Sequence, residues 1–300
     1  MLNVAWSKIY NHPLPVHHRF PMEKYDLLPE QLLYEGTLHS KNIFNPRTLS
    51  EAEILSTHQS DYWEKLKKLN LTRAEVRASG FPLSKELVHR EITINAGTLQ
   101  AADFALKYGI AMNIAGGTHH AYSNKAEGFC LLNDQAIAAN ILLDQGRASQ
   151  VLIVDLDVHQ GNGTAEIFRN DTRVFTFSMH GAKNYPMHKE ESDLDIGLPD
   201  GIEDVAYLRL LDHHLKVLLD TLEPDFLFFQ AGVDVLATDK IGRLGLSIEG
   251  CKSRDALVLK SAKRYNIPLV ASMGGGYSPE VKIIIEAHAN TYRLAQEIFF

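Results

Sequence analysis

A chain of 300 residues that is 45% hydrophobic can bury one large core, and its net charge of −7 with a pI near 6.0 argues against a nucleic-acid binder, which would usually show a basic face. Two cysteines, Cys130 and Cys251, exclude a disulfide scaffold and fit a reducing cytoplasm. The opening MLNVAWSKIY lacks the pattern of a signal peptide, and no apolar run approaches the ~18 residues of a membrane span.

In chain order, LNVAW (2–6) reads as a short strand, and the Pro- and His-rich 11–25 as a loop at its exit. Residues 26–36 read as a short helix with Leu27, Leu28, Leu32 and Leu33 on one face. Ser50 and Glu53 form a capping box for a helix from about 51. Residues 61–69 are helical, SGFPLSKE (79–86) is a loop, and 87–108 is a long helix striped by Ile94, Leu99, Ala102 and Leu106. From there strands and helices alternate. The predicted strands are 110–117, 151–157, 173–180, 225–232 and 268–277. The predicted helices are 133–145 (capped by Asn133 and Asp134, stopped by Gly146), 162–169, 203–221, 247–265 (capped by Ser247) and 279–298, with a long loop from 181 through 202. This alternation predicts a parallel sheet wrapped by helices, in one domain over 1–300.

Ligands of open parallel sheets sit beyond the carboxyl ends of the strands. Five predicted strand ends carry polar or glycine clusters: GGTHHA, DLDVH, SMH, AGVD and GGGY. VLIVDLDVHQGNGT (151–164) is the richest. In a strand, side chains two apart point the same way, so Asp155, Asp157 and His159 would share one side like a comb. The bland reading is a polar strand end that caps the next helix.

Asp157, His159 and Asp234 form a candidate metal site, two carboxylates and one imidazole with an open position. Taken alone, Asp234 is as well read as a loop carboxylate. His119 and His120 beside that site suit general acid–base work, although a histidine pair in a loop is often only solvated. Asp155 could orient one ring and keep it charged, and Asn162 could hold the other; a neutral Asn raises the proton affinity of His far less than Asp does. Tyr277 follows Gly274, Gly275 and Gly276, whose backbone can approach a ligand closely, and its hydroxyl could donate to a developing oxyanion. GGGY has neither the dinucleotide nor the Walker spacing, which disfavours a phosphate cradle. Phe129 and Tyr185 could line an apolar slot or pack locally.

Together GGTHHA, GFCLLND, VDLDVHQGNGT, QAGVD and GGGY resemble the histone deacetylase superfamily in order and spacing over nearly the whole chain, most closely the class IV branch and its bacterial relatives. The resemblance implies an α/β, three-layer arginase/deacetylase-like fold around a mostly parallel sheet of about eight strands. It implies one catalytic zinc held by Asp157, His159 and Asp234. His120 would be general base and then acid, His119 its electrostatic partner oriented by Asp155, and Tyr277 would polarise the acyl carbonyl. Gly128, Phe129, Tyr185 and Gly275 would line an acyl-lysine tunnel. A structural potassium or sodium ion would sit near Asp155 and Ser178 and the backbone of Asp157, His159 and Met179. Asn162 departs from the Asp of many members, which bears on the protonation of His120. Arginases share the fold but need a second carboxylate set for two manganese ions, and the sequence supplies none.

The resemblance therefore implies a zinc-dependent hydrolase of acetyl or longer acyl groups on Nε-acyl-lysine in proteins or peptides, with no direct nucleic-acid or membrane partner. One alternative is a deacetylase of small acyl-amines such as acetylpolyamines; the lack of an insertion before His58 favours the more open access of a peptide. The other is a silent acyl-lysine-binding scaffold, whose mark would be a lost Tyr277, His120 or metal ligand.

Overall fold

The computed structural model describes residues 1–300. Eight strands, β1 (Asn3–Ala5), β2 (Ile43–Phe44), β3 (Ile110–Asn113), β4 (Val151–Asp155), β5 (Val174–Gly181), β6 (Leu194–Leu198), β7 (Phe226–Gln230) and β8 (Leu269–Ser272), form one sheet in the order β2-β1-β3-β8-β7-β4-β5-β6. Every neighbouring pair is parallel, where a mostly parallel sheet was expected. The central strands VLIVD and FLFFQ are buried throughout, as continuous apolar strands must be when helices cover both faces.

Ten α-helices surround the sheet: α1 (Lys24–Tyr34), α2 (Glu51–Leu55), α3 (Ser60–Lys67), α4 (Arg73–Ser79), α5 (Lys85–Tyr108), α6 (Asp134–Asp144), α7 (Asn162–Phe168), α8 (Asp204–Leu222), α9 (Ile248–Arg264) and α10 (Val281–Phe299). Helix α5 packs on α6, β3 and β8, while α1, α10, α9 and α8 pack in series. A continuous cluster of 81 buried apolar residues runs from Leu2 to Ala295. Each fully buried Leu or Phe in it contributes roughly 1.5–3 kcal/mol.

Local signals placed several helix ends. Ser50 Oγ and Glu53 close the capping box, and Ser247 Oγ accepts from Gly250 N at 2.9 Å. Elsewhere the structure corrects the sequence. Helix α1 starts at Lys24, and only Leu28 and Leu32 of its expected stripe are buried; Leu27 and Leu33 are 36% and 41% exposed, because α10 covers a single face. Leu106 of the α5 stripe is likewise exposed. Helix α4 was read as no element, although Thr72 and Glu75 form a capping box and Gly80 ends it in the left-handed conformation. The two edge strands lie outside the predicted elements: β2 has two residues, and β6, within the expected loop, is a half-buried five-residue stretch whose Leu194, Ile196 and Leu198 alternate with Asp195 and Gly197. Strands expected to run to 117, 157 and 277 stop at Asn113, Asp155 and Ser272, where turns leave the ladder. Asp134 does not cap α6; Asn133 does, with Oδ1 accepting from Ala136 N at 3.1 Å.

Candidate active site

The chain lays down β3, passes to β4, β5 and β6, and then returns to fill the gap with β7 and β8. Reversal of the winding opens a crevice at the carboxyl ends. The five informative exits are consequently neighbours in the order β3, β8, β7, β4, β5.

The exit of β4 is not a comb. Asp155 Oδ1 accepts from Asp157 N at 3.1 Å, and Asp157 Oδ1 accepts from His159 N at 3.0 Å. Each carboxylate thus bonds the backbone two residues on, which curls the chain off the sheet. The curl brings Asp157 and His159 to Asp234 from the β7 exit, with one candidate ligand atom from each within 4.8 Å of the others. His159 Nδ1 lies 3.0 Å from Asp157 Oδ1 and 3.2 Å from Asp234 Oδ2. Backbone amides fix the remaining lone pairs: Val158 N donates to Asp234 Oδ1 at 3.0 Å and Gly275 N to Asp157 Oδ2 at 2.9 Å. A Cβ at Gly275 would stand 2.8 Å from Asp157 Oδ2, so the β8 exit closes on the cluster only because that residue is glycine.

All three side chains are buried, and no donor is aligned for a hydrogen bond to Asp234 Oδ2, His159 Nδ1 at 3.2 Å included. Burial and the neighbouring Asp157 push the Asp234 carboxyl well above the carboxylate range. Two buried carboxylates sharing one imidazole carry negative charge that the protein leaves unbalanced. The residues therefore fit a divalent cation with mixed oxygen and nitrogen ligands, such as zinc.

The His119 and His120 rings are tilted by 46° to each other with centroids 4.1 Å apart. His119 Nδ1 lies 2.7 Å from Asp155 Oδ2. Burial opposes its charge, but Asp155 and then Asp157 outweigh burial and lift it to about 9. His120 behaves oppositely: burial and then the charges of His119 and His159 hold it well below the usual histidine range. Its Nδ1 lies 2.6 Å from Asn162 Oδ1. The orientation of that amide follows from its other end, where Asn162 Nδ2 donates to Tyr122 Oη at 3.0 Å and to Glu127 Oε1 at 3.1 Å. A carboxylate only accepts, so Glu127 turns the amide nitrogen toward itself and the carbonyl toward His120. His120 then donates from Nδ1, and Nε2 is its proton-free nitrogen.

The turn under the histidines is held by buried Asp134, which accepts from Thr118 N (2.8 Å), Thr98 Oγ1 (2.6 Å) and Ser272 Oγ (3.0 Å). Buried His58 supports its far side: Nδ1 lies 3.0 Å from the Tyr122 carbonyl, and Asn133 N donates to Nε2 at 3.0 Å.

Gly128, Phe129, Tyr185, Gly275 and Tyr277 surround the opening above these groups. Phe129 has φ +67, which costs a non-glycine residue about 1 kcal/mol or more. Two backbone bonds from the end of α4 hold it there, Gly128 N to Ala78 O (3.0 Å) and Phe129 N to Ser79 O (2.8 Å). Its ring lies against Gly80, where a Cβ would stand 2.7 Å from ring carbons. Opposite, the Tyr185 ring meets His120 edge-on at 5.1 Å, and its hydroxyl bonds Glu127. Tyr277 N donates to Asp239 Oδ2 at 2.7 Å, and its ring packs 5.9 Å from Phe20. Beneath lies a cavity of about 40 Å³ that reaches Phe20, Tyr25, Arg90 and Cys130.

Ser178 pairs in register with Asp155 across β5 and β4, and its Oγ lies 2.9 Å from His180 Nδ1; Met179 is buried beside it. Sequence reasoning did not find Glu127, Asp239, Lys24 or Arg254. Lys24 is buried with Nζ donating to Gly274 O at 3.1 Å, and Arg254 Nη1 donates to Leu156 O (3.1 Å) and Gly232 O (2.5 Å) at the two ligand-bearing exits. The EG of EGFC and the DK of TDKIG were legible as charges beside glycines, but nothing local says what they touch.

Residues 18–292 match the histone deacetylase domain. An uncharacterized protein of Picosynechococcus sp. is 41% identical over 99% of both chains. Histone deacetylase 2 of Arabidopsis thaliana is 31% identical over 92% of this chain and 74% of its own. Among solved structures, an HDAC homolog complexed with SAHA superposes with a TM-score of 0.86 at 23% identity, over 99% of this chain and 84% of that one. An HDAC homolog from Aquifex aeolicus gives 0.84 at 23%, over 98% and 84%. These likenesses establish the arginase/deacetylase fold. No helix is long and apolar enough to cross a membrane.

Proposed function

The chain belongs to the histone deacetylase family of hydrolases, and from that premise we propose that it is a zinc-dependent deacylase of Nε-acyl-lysine in peptides or proteins. The observation that carries this reading is the buried Asp157–His159–Asp234 cluster, with an undonated Asp234 oxygen, beside a histidine whose Nε2 is free. Asp157, His159 and Asp234 would hold zinc, which when bound supplies a Lewis acid for the acyl carbonyl and the attacking water. His120 Nε2 takes the water's proton as the new C–O bond forms. It then gives that proton to the lysine nitrogen as the C–N bond breaks, releasing a carboxylic acid and a free amine. The Tyr277 hydroxyl donates to the acyl oxygen as it gains charge. His119, kept cationic by Asp155, offsets negative charge at the centre. Gly128, Phe129, Tyr185 and Gly275 line the path of the lysine stem. Asp155, Ser178 and the backbone of Asp157, His159 and Met179 are the proposed set for a structural potassium or sodium ion.

The cavity of about 40 Å³ that runs from the metal cluster toward Tyr25, Arg90 and Cys130 is small, which favours acetyl over long acyl chains. The test is a panel of one peptide carrying acetyl- through myristoyl-lysine, with acetylated polyamines alongside. Fastest turnover of the acetyl peptide is expected. Turnover of polyamines alone would replace acyl-lysine by a small acyl-amine as substrate, and binding of acyl-lysine without turnover would make the protein a silent scaffold.

A further inference from the structure

The mouth of the site has a charge opposite to that of the molecule. The chain carries 37 acidic against 30 basic residues, a net charge of −7. Yet the outer cavity, about 430 Å³ in volume, is lined by Arg19, Arg77, Lys183 and Arg243 and by no Asp or Glu. All four cations are exposed, and they come from separate segments: the loop before α1, helix α4, the loop after β5 and the loop before α9. Arg19 and Arg77 make no ion pair; Arg19 Cζ lies over the Phe129 ring, 5.0 Å from its centroid, on the lining of the opening. Lys183 and Arg243 share one carboxylate, Asp200, each at 3.5 Å. The other nearby carboxylates are committed elsewhere. Glu127 accepts from Lys125 at 2.9 Å and is bonded by Asn162 and Tyr185, and Asp239 accepts from the backbone of Tyr277, Ile241 and Gly242. Four positive charges against two carboxylates that no further cation balances, Asp200 and Asp239, remain where a substrate must enter.

We infer that this mouth selects for negative charge: the favoured substrate is an Nε-acyl-lysine flanked by Asp and Glu, and polycationic tails and acylated polyamines are disfavoured. The inference rests on the deacylase reading of the site and narrows its substrate class. Rim charges act mainly on encounter, and salt screens them over about 8–10 Å near physiological strength. The selectivity therefore lies in kcat/KM at low salt and fades as salt rises.

The experiment uses three acetyl-lysine peptides that differ only in their flanks (Asp/Glu, Ser/Gln, Lys/Arg), with N-acetylputrescine as a small cationic amide, at about 20 and 500 mM NaCl. The expected order is acidic, neutral, basic, spanning roughly tenfold or more at low salt and shrinking severalfold at high salt. In the Arg77→Glu/Arg243→Glu protein the order reverses. In Lys107→Glu, a charge reversal at the C-terminus of α5, it stands. Peptides that are turned over with no flank order, with the basic flank preferred, or with an order that the double reversal does not move would overturn the inference and leave the deacylase reading intact. If no peptide is turned over and N-acetylputrescine is, the deacylase reading itself fails and the inference falls with it.

Discussion

Two clusters of buried charge flank the same strand ends and are built on opposite plans. In the closed one, Arg254 meets Asp255 at 2.7 Å, Asp255 Oδ2 accepts from Thr291 at 2.6 Å, and the guanidinium donates to Leu156 O and Gly232 O. Charge is balanced, both residues are fully buried, and the pair ties the exits of β4 and β7 together. In the open one, three carboxylates, Asp155, Asp157 and Asp234, share two imidazoles. A buried carboxylate matched one to one by a cation is part of the scaffold; a set in which carboxylates outnumber the cationic side chains they touch is shaped for something from outside. The closed pair thus sets the spacing of the open one.

The comparison predicts opposite costs. Asp234→Ala is expected to lower deacetylation by about 10³-fold or more, matching the several kcal/mol that a Lewis acid supplies. It should leave the metal-free protein no less stable in urea, since it removes an unbalanced buried charge. A large loss of metal-free stability would place Asp234 in the scaffold and break the contrast. Arg254→Met should destabilise by about 3–5 kcal/mol, because Asp255 is left buried without its partner, and Arg254→Met/Asp255→Leu should recover much of that. Equal losses in the single and double variants would show that the pair is not a unit.

A third test concerns a neutral member of the scaffold. Both nitrogens of His58 are bonded, the contacts are the Tyr122 carbonyl, the Asn133 amide and the Tyr62 ring at 6.0 Å, and burial holds the ring down to about 4. Below the ordinary histidine value near 6.5 the unfolded chain binds a proton that the folded ring refuses, so stability falls as pH drops from about 6.5 to 4. The His58 share of the loss is about 3 kcal/mol, read as the amount by which His58→Gln shrinks the difference in urea stability between pH 7.5 and 4.5. An unchanged profile in the variant would mean that His58 is not the titrating group. The smallest effect is expected at Glu127. Glu127→Ala frees the Asn162 amide to turn and should lower kcat roughly fivefold, about 1 kcal/mol, with KM moved less. Glu127→Gln, which keeps an acceptor oxygen, should retain most of the rate; equal losses in both variants would assign the effect to charge and not to the amide's orientation.

The parallel sheet, the five informative exits and the residues that meet at the open cluster were legible because they lie in strand-end motifs whose spacing reports chemistry. The closed cluster was not: Arg254 sits inside an ordinary amphipathic helix, and its contacts with Leu156 and Gly232 are 98 and 22 residues away. Glu127 shows the same limit, since its role depends on an amide 35 residues distant. Edge strand β2 is too short to carry an apolar period, whereas β6 does carry one, Leu194, Ile196 and Leu198, over only five residues inside a polar loop. The cations of the mouth are scattered from Arg19 to Arg243 and acquire a common sign only in three dimensions.

The most direct test of the open cluster is a zinc titration of chelator-stripped protein, following deacetylation and thermal unfolding together. Both should rise in step and saturate at one equivalent of zinc, since a ligand bound by the folded state alone raises its stability. Asp234→Ala should show neither rise. Full activity in the stripped protein, or the same zinc-dependent rise in Asp234→Ala, would contradict the account.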